Sequence, residues 1–512
     1  MNLPFQREGL IMIKLRQSSL KIIAMLYIIM PIFLFFLGWL KLFISLPITI
    51  ILLFGVYRFV KSEYDVRDDT NNFLSVRKSH IFFVVVIMLI WSFLAGQGGF
   101  FYQSSDHNYR NAILRDLINY DWPVIYSRNT AMVYYIGHWL VPGIIGKVFT
   151  IILGSQAGWL VGNIFLYLWT SIGLIIVALL LIYTVKANNF RKIALSLSVL
   201  ALFSGLDIIG TVISKGVSGI SLHIEWWADL YQFSSNTTLL FWVFNQTIVP
   251  WIVVLLFLNE RKIQNYALLG LSILPFAPMP FVGMLPFFIC SAIQHFLHSI
   301  KAKNIRPIIL DILSIQNITA IITILPVFLF YFSSNASSTN GIRLDFNLIN
   351  SLSGLARLIT FWSLEVGIYA FVLFFRNKNN IFYYIVVLSL LLIPVFKIGN
   401  SADFAMRASI SALFFLMIFT IKFLFENIGY INKKCYTNTP IMALILVFTL
   451  LIGTATPLIE FTRAFVNVFK EGRINVVADH IKTLADKNFN GQIDNFITKN
   501  IKEEIFFKYL AK

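Results

Sequence analysis

Long apolar runs recur along almost the whole chain, divided by short polar or basic segments. A helix needs about 20 apolar residues to cross roughly 30 Å of hydrocarbon, and helices satisfy all their own backbone polar groups there. The pattern therefore predicts an all-α fold, a polytopic membrane helix bundle. The first two runs, 22–40 and 42–60, hinge at Lys41 into a tight helical hairpin, and a third span follows over 81–97. Further spans are expected near 157–185, 193–213, 237–258, 265–277, 281–299, 314–333, 358–376, 381–396, 408–425 and 440–459. That gives about 13 transmembrane helices. Pro275, Pro278, Pro280 and Pro286 mark 265–277 and 281–299 as bent helices meeting at the outer face.

Residues 131–153 are apolar enough to cross, but Pro142, Gly143, Gly146, Lys147 and Gly154 interrupt them. If they crossed, the next run would carry Lys186, Arg191 and Lys192 outside, against the preference of basic loops for the cytoplasm. They are therefore expected at the outer interface or dipping into it. Alternation then puts the N-terminus inside and the C-terminus outside. Four parts result: 1–80, a cytoplasmic N-terminus and helical hairpin; 81–310, a core with a long outer loop over 98–156; 311–459, a C-terminal bundle; and 460–512, an extracytoplasmic tail. In the tail, FVNVFKEGRINVVADHIKTLADK reads as amphipathic helix.

Composition agrees. Of 512 residues 58% are hydrophobic and 13% charged, and the mean hydropathy is +0.77, which excludes a soluble domain. The net charge of +17 sits largely in short loops assigned to the cytoplasm, such as Arg58, Lys61, Arg67, Arg77 and Lys78. This is a membrane-orientation pattern and not a nucleic-acid face. No disulfide is expected, because Cys290 lies in an apolar run and Cys435 beside Lys433 and Lys434. Abundant Ile, Asn, Lys and Phe point to an AT-rich bacterial genome, hence a bacterial plasma membrane and a cell-envelope acceptor.

The charged chemistry concentrates in 96–142, where Asp106, His107, Arg110, Arg115, Asp116 and Asp121 alternate with Tyr and Trp. Asp106, just beyond a span, is a candidate general base; the alternative is a surface pair with Arg110 at i,i+4. Asp116 and Asp121 read either as solvated carboxylates or as ligands for an acceptor or a divalent metal. His138 reads as an interfacial histidine or a substrate contact. Arg407, beside Asp403 at the mouth of a span, matches phosphate by bidentate donation, or closes an ion pair. His223 and Glu225, ahead of Trp226 and Trp227, are placed to orient an acceptor or polarise a leaving phosphate; an interfacial Trp anchor is the alternative. Asp207 is a buried-carboxylate candidate near the outer end of its span.

The stretch SSDHNYRNAILRDL after span 81–97 resembles the start of the first outer loop in the GT-C superfamily of integral membrane glycosyltransferases. YYIGHWLVPGIIGK, with the P-x-x-Y before it, is similar to that superfamily's juxtamembrane helix, and KANNFRK to its next cytoplasmic turn. The resemblance spans roughly 81–310. It implies inverting transfer from a polyprenyl-phosphate-sugar donor to a glycan or lipid acceptor, with Asp106 as base. It further implies that Arg407 and Arg110 neutralise the phosphate, and that His107, Asp116, His138, His223, Glu225 and Asp403 contact substrate. No cofactor is required by this reading, and a divalent metal stays open. A lipid-linked glycan polymerase or ligase, a flippase or transporter of such glycans, and a non-catalytic scaffold are the alternatives.

Overall fold

The computed structural model describes residues 11–65, 72–127, 129–221, 223–229, 231–260, 262–334, 342–344, 351–398, 402–428, 439–489 and 491–512. Arg67, Lys433, Lys434 and Cys435, named above, lie outside the described residues. Among the described residues ten helices are long and apolar enough to cross a membrane, and the chain is a multi-pass helical membrane protein. Three shorter apolar helices, Lys78–Leu94, Gly137–Leu153 and Ile381–Val395, lie among them.

The opening hairpin forms as its pattern predicts, Gln17–Trp39 returning as Leu42–Asp65. Behind it, Met12–Arg16 pairs antiparallel with Phe73–Arg77. At this end of the bundle the Lys21 ammonium donates to Glu63 Oε1 and to Glu260 Oε2, each at 2.7 Å and all three buried. Glu260 follows Asn236–Asn259, the most deeply buried of the long helices, so one cation ties that helix to the hairpin.

Gly137–Leu153 packs antiparallel along Ser155–Thr184, the two joined at Gly154, whose φ of +87° suits a residue without a Cβ. A Cβ on Gly146, Gly158 or Gly162 would run into the partner helix or into Ile118, so their absence of a side chain sets the close approach. His138 meets Thr170, halfway along the 30-residue partner. The shorter helix therefore lies alongside only the first half of its neighbour.

One expectation needs correction. Residues 265–277 do not form a span: only Tyr266–Leu271 is helical, and the chain then turns so that Pro275 accepts from the Gly137 backbone N–H. The span expected over 193–213 is present as Phe190–Lys215, kinked between Phe190–Leu202 and Asp207–Lys215. At the break the Leu206 N–H donates to the Leu364 carbonyl, and Gly205 lies against the Glu365 carboxylate where a Cβ would not fit. The neighbouring helices are irregular at the same place. Leu352–Trp362 passes into a wide π-turn over Ser363–Gly367, and Thr439–Gly453 is interrupted before Ala455–Glu471.

The tail also departs from its pattern. The helix containing residue 460 ends at Glu471, where Gly472 takes a left-handed conformation (φ +62°). Beyond it the chain is mostly extended or turning and wraps the loop 98–136. Gln103 N–H donates to Val476 O, Arg115 pairs with Asp479 at 2.6 Å, and Ile497–Thr498 adds a strand to the hairpin Ile125–Ser127/Thr130–Met132. Amphipathic pattern loses to backbone pairing here because the loop offers side-chain partners for the tail's carbonyls.

Candidate functional site

At the end of the bundle opposite Lys21, a cavity of about 590 Å³ opens between the loop after Lys78–Leu94, the start of Asn236–Asn259 and the short helix Asp403–Ala408. Asp106, Lys215, His223, Asp229, Asp403 and Arg407 line it, with Trp226 and Trp242 among its walls. Asp106 and Arg407, far apart in sequence, thus face one chamber. Each belongs to an i,i+4 ion pair across one helical turn. Arg110 Nη2 lies 3.1 Å from Asp106 Oδ2, and Arg407 Nη1 lies 2.9 Å from Asp403 Oδ2.

The two guanidiniums are mostly buried while their carboxylate partners are half exposed. Neither pair exhausts its arginine. Arg110 Nη1 and Arg407 Nε are buried without a hydrogen-bond partner among the described residues. Both cations bear electrostatically on the buried Tyr134 hydroxyl. Arg110 is also stacked over Phe244 at 5.7 Å, just after Val243, where Asn236–Asn259 departs from helical geometry. Buried N–H groups left unmatched are costly, and an anion in the chamber beside Arg407 would lower that cost.

Another part of the lining is built on His223. Its Nδ1 lies 3.1 Å from Glu460 Oε1, while Glu460 Oε2 accepts from Trp242 Nε1 at 3.0 Å and from Arg463. Burial works against the imidazolium, but the hydrogen bond to Glu460 and the charges of Glu225 and Glu460 outweigh it and hold His223 above the usual histidine range. Glu225 sits behind this wall and is fully buried. It accepts from Ser234 Oγ at 2.6 Å, Gln232 Nε2 at 3.0 Å and the Ser235 backbone N–H at 2.9 Å. Burial, with Asp207 nearby, pushes the Glu225 carboxyl up to about 7.

Deeper still lie Asp207 and Glu365, at the break and the π-turn described above. Asp207 Oδ2 accepts from Ser204 at 2.9 Å and Thr456 at 2.8 Å, and Glu365 Oε1 accepts from Trp227 Nε1 at 3.1 Å.

Of the residues singled out in the sequence, Asp106, His223, Asp403 and Arg407 line the cavity, and Arg110 stands directly behind Asp106. The others do not reach it. His107 is buried against Phe244 with Nδ1 on Ser104, and burial beside Arg110 holds it well below the usual range, so it stays neutral. His138 is buried against the same ring with Nε2 on Thr170. Asp116 anchors the tail, accepting from Tyr126 at 2.6 Å and from the Leu484 N–H at 2.9 Å. Asp121 is exposed beside Lys147, so the two aspartates form no carboxylate pair. Among the described residues no group of three or more His, Cys, Asp or Glu side chains is arranged to hold a metal ion.

Glu460, Arg463 and Lys215 belong to the site without having been anticipated. The signal for the first two was present: ATPLIEFTRAF sets a Glu–Arg pair one turn apart at the end of an apolar run. Comparison with family models, with curated proteins and with solved structures returns no match to this chain.

Proposed function

We propose that the chain is a membrane glycosyltransferase. It moves a sugar from a polyprenyl-phosphate carrier to a glycan or lipid acceptor at the outer face of a bacterial plasma membrane. The observation that carries this reading is the shared chamber: a carboxylate, Asp106, and a guanidinium, Arg407, face one space sized for a sugar phosphate. Basic side chains gather at the far, Lys21-bearing end, so the positive-inside preference puts the chamber outside. In the proposed step Asp106 takes the proton of the acceptor hydroxyl. The acceptor oxygen attacks the anomeric carbon, the bond from that carbon to the phosphate oxygen breaks, and its electron pair leaves with the phosphate. Attack opposite the leaving group inverts the sugar. Arg407 and the spare N–H of Arg110 meet the charge that develops on the phosphate, and such donors lower a barrier by a few kcal/mol each.

The test is transfer by purified protein in lipid nanodiscs with a radiolabelled polyprenyl-phosphate sugar. Asp106→Asn is expected to lower turnover by about 10²-fold or more with an unchanged melting temperature. Arg407→Lys is expected to raise the donor KM, because a point charge does not reproduce the guanidinium fork. Turnover equal to wild type in Asp106→Asn removes the base assignment.

A second reading, a transporter of lipid-linked glycans, draws on Asp207 and Glu365. Both are carboxyl groups buried where spans are interrupted, a placement typical of ion-coupled carriers. It predicts that proteoliposomes translocate a lipid-linked glycan and that Asp207→Asn stops them. Sugar transfer without translocation decides for the enzyme.

A further inference from the structure

The cavity that holds Arg407 also carries a histidine whose setting is that of an acid–base group. His223 lines the cavity, and its Nδ1 is committed to Glu460. Glu460 is 2% exposed and fixed from three sides, by His223, by Trp242 Nε1 and by Arg463, whose guanidinium also lies 4.7 Å from the Trp242 ring centroid. A carboxylate held this rigidly orients the imidazole and favours its charged form. The donor then left for a ligand is Nε2–H. Trp226 and Trp242 flank the ring at 4.4 and 5.5 Å, which narrows the directions that it has open.

We propose that His223, held by Glu460, is the protonated ligand of the carrier's phosphate and the acid that discharges it. This deepens the glycosyltransferase reading and rests on it. As imidazolium, His223 binds the phosphodiester of the sugar donor within the cavity that it shares with Arg407. When the bond from the anomeric carbon to the phosphate oxygen breaks, the electron pair goes to that oxygen and Nε2 gives it a proton. The products are the glycosylated acceptor, a polyprenyl phosphate and a neutral imidazole, which solvent in the open chamber reprotonates. The protons balance: one moves from the acceptor hydroxyl to Asp106, and one from His223 to phosphate. The ligand class follows as a phosphate monoester or diester on a lipid, bound best while His223 is charged.

The charges around His223 set the pH at which this changes. Glu460 and Glu225 favour the imidazolium, and Arg463 disfavours it. Asp207 lies behind the wall and interacts with the ring, while Lys215, Asp106, Asp229, Asp403 and Arg407 face the same space. A histidine raised above its ordinary range keeps its proton to higher pH than a free imidazole, and anion binding is lost as pH rises through that shifted value.

The experiment is equilibrium binding of radiolabelled farnesyl phosphate to the full chain in nanodiscs between pH 5.5 and 8.5. Wild type is expected to weaken by about tenfold across the His223 transition. The probe's own phosphate gains negative charge over part of this range, which works in the opposite direction. His223→Gln is expected to bind weakly with no such fall. Glu460→Gln is expected to move the fall to lower pH and recover near-wild-type affinity at pH 5.5. Glu460→Asp, which keeps the charge, is expected to restore much of the wild-type profile and covers the case in which Glu460→Gln does not fold. A wild-type profile in folded His223→Gln overturns the inference, as does an unmoved transition in folded Glu460→Gln. If Arg407→Ala abolishes binding while those profiles stay unchanged, the phosphate-lipid reading stands and only the role of His223 falls. If folded wild type binds no probe at any pH, the phosphate-lipid reading itself falls.

Discussion

Glu225 shows how one buried side chain converts surroundings into pH dependence. Its carboxyl titrates near 7 in the folded protein against an ordinary 4.5, because burial and the nearby Asp207 disfavour its anion. Between those values the folded state holds more protons than the unfolded one, so stability falls as pH rises through that window. His223 adds to the same trend: its raised value contributes stability at low pH that is lost as pH climbs through its folded titration. Glu225→Gln, which keeps the shape and removes the charge, is expected to be more stable than wild type above pH 7 by on the order of 1–3 kcal/mol. The difference should vanish below about pH 4.5, where wild-type Glu225 is protonated in both states. Thermal melts of both proteins in one detergent at pH 5, 6, 7 and 8 measure it.

Among elements, the helical pair Gly137–Leu153 and Ser155–Thr184 depends on having almost nothing at its crossing. Gly162 faces Ile118 and Gly146. Gly162→Leu is expected to force the helices and the Ile118 helix apart, at a cost of about 1–3 kcal/mol, read as a lower melting temperature. Gly146 and Gly154 were legible as breaks in the apolar pattern, and the fold uses them at the crossing and at the turn. Regular spans were equally legible, because about 20 apolar residues in water have no alternative to the membrane. The interruptions were not. Nothing local to Ser204–Gly205 announces that Glu365, far along the chain, will lie against Gly205, since a break stabilised by tertiary contacts leaves little trace in periodicity. The site shows the same division. Asp106 and Arg407 stood out as charges at the ends of apolar runs, whereas Asp116 looked identical in sequence and proved to be a peg for the tail. Its partners, Tyr126 and the Leu484 N–H, are set by the fold alone.

For the whole molecule, the two ends of the bundle use charge differently. The chamber end leaves cations with unmatched donors, while the far end closes its charges upon themselves. Lys21 there serves two carboxylates, and Glu260 is further held by the Lys262 N–H at 2.9 Å and Asn265 Nδ2 at 3.1 Å. Removing the cation strands both carboxylates in a buried setting. Lys21→Met is therefore expected to cost about 3–5 kcal/mol, and pairing it with Glu63→Gln to recover part of the loss. Melting temperatures of the single and double variants test this, and a Lys21→Met protein as stable as wild type would show the triad to be dispensable. The end of the chain matters on the same scale. Lys41 N–H donates to Leu510 O and Lys512 N–H to Trp39 O, so residues 508–512 finish the turn of the opening hairpin. A ribosome delivers those residues on the order of tens of seconds after the turn itself has emerged. Until then water meets those backbone groups at the turn, and a bulky fusion placed directly after Lys512 should slow the locking of the hairpin into place.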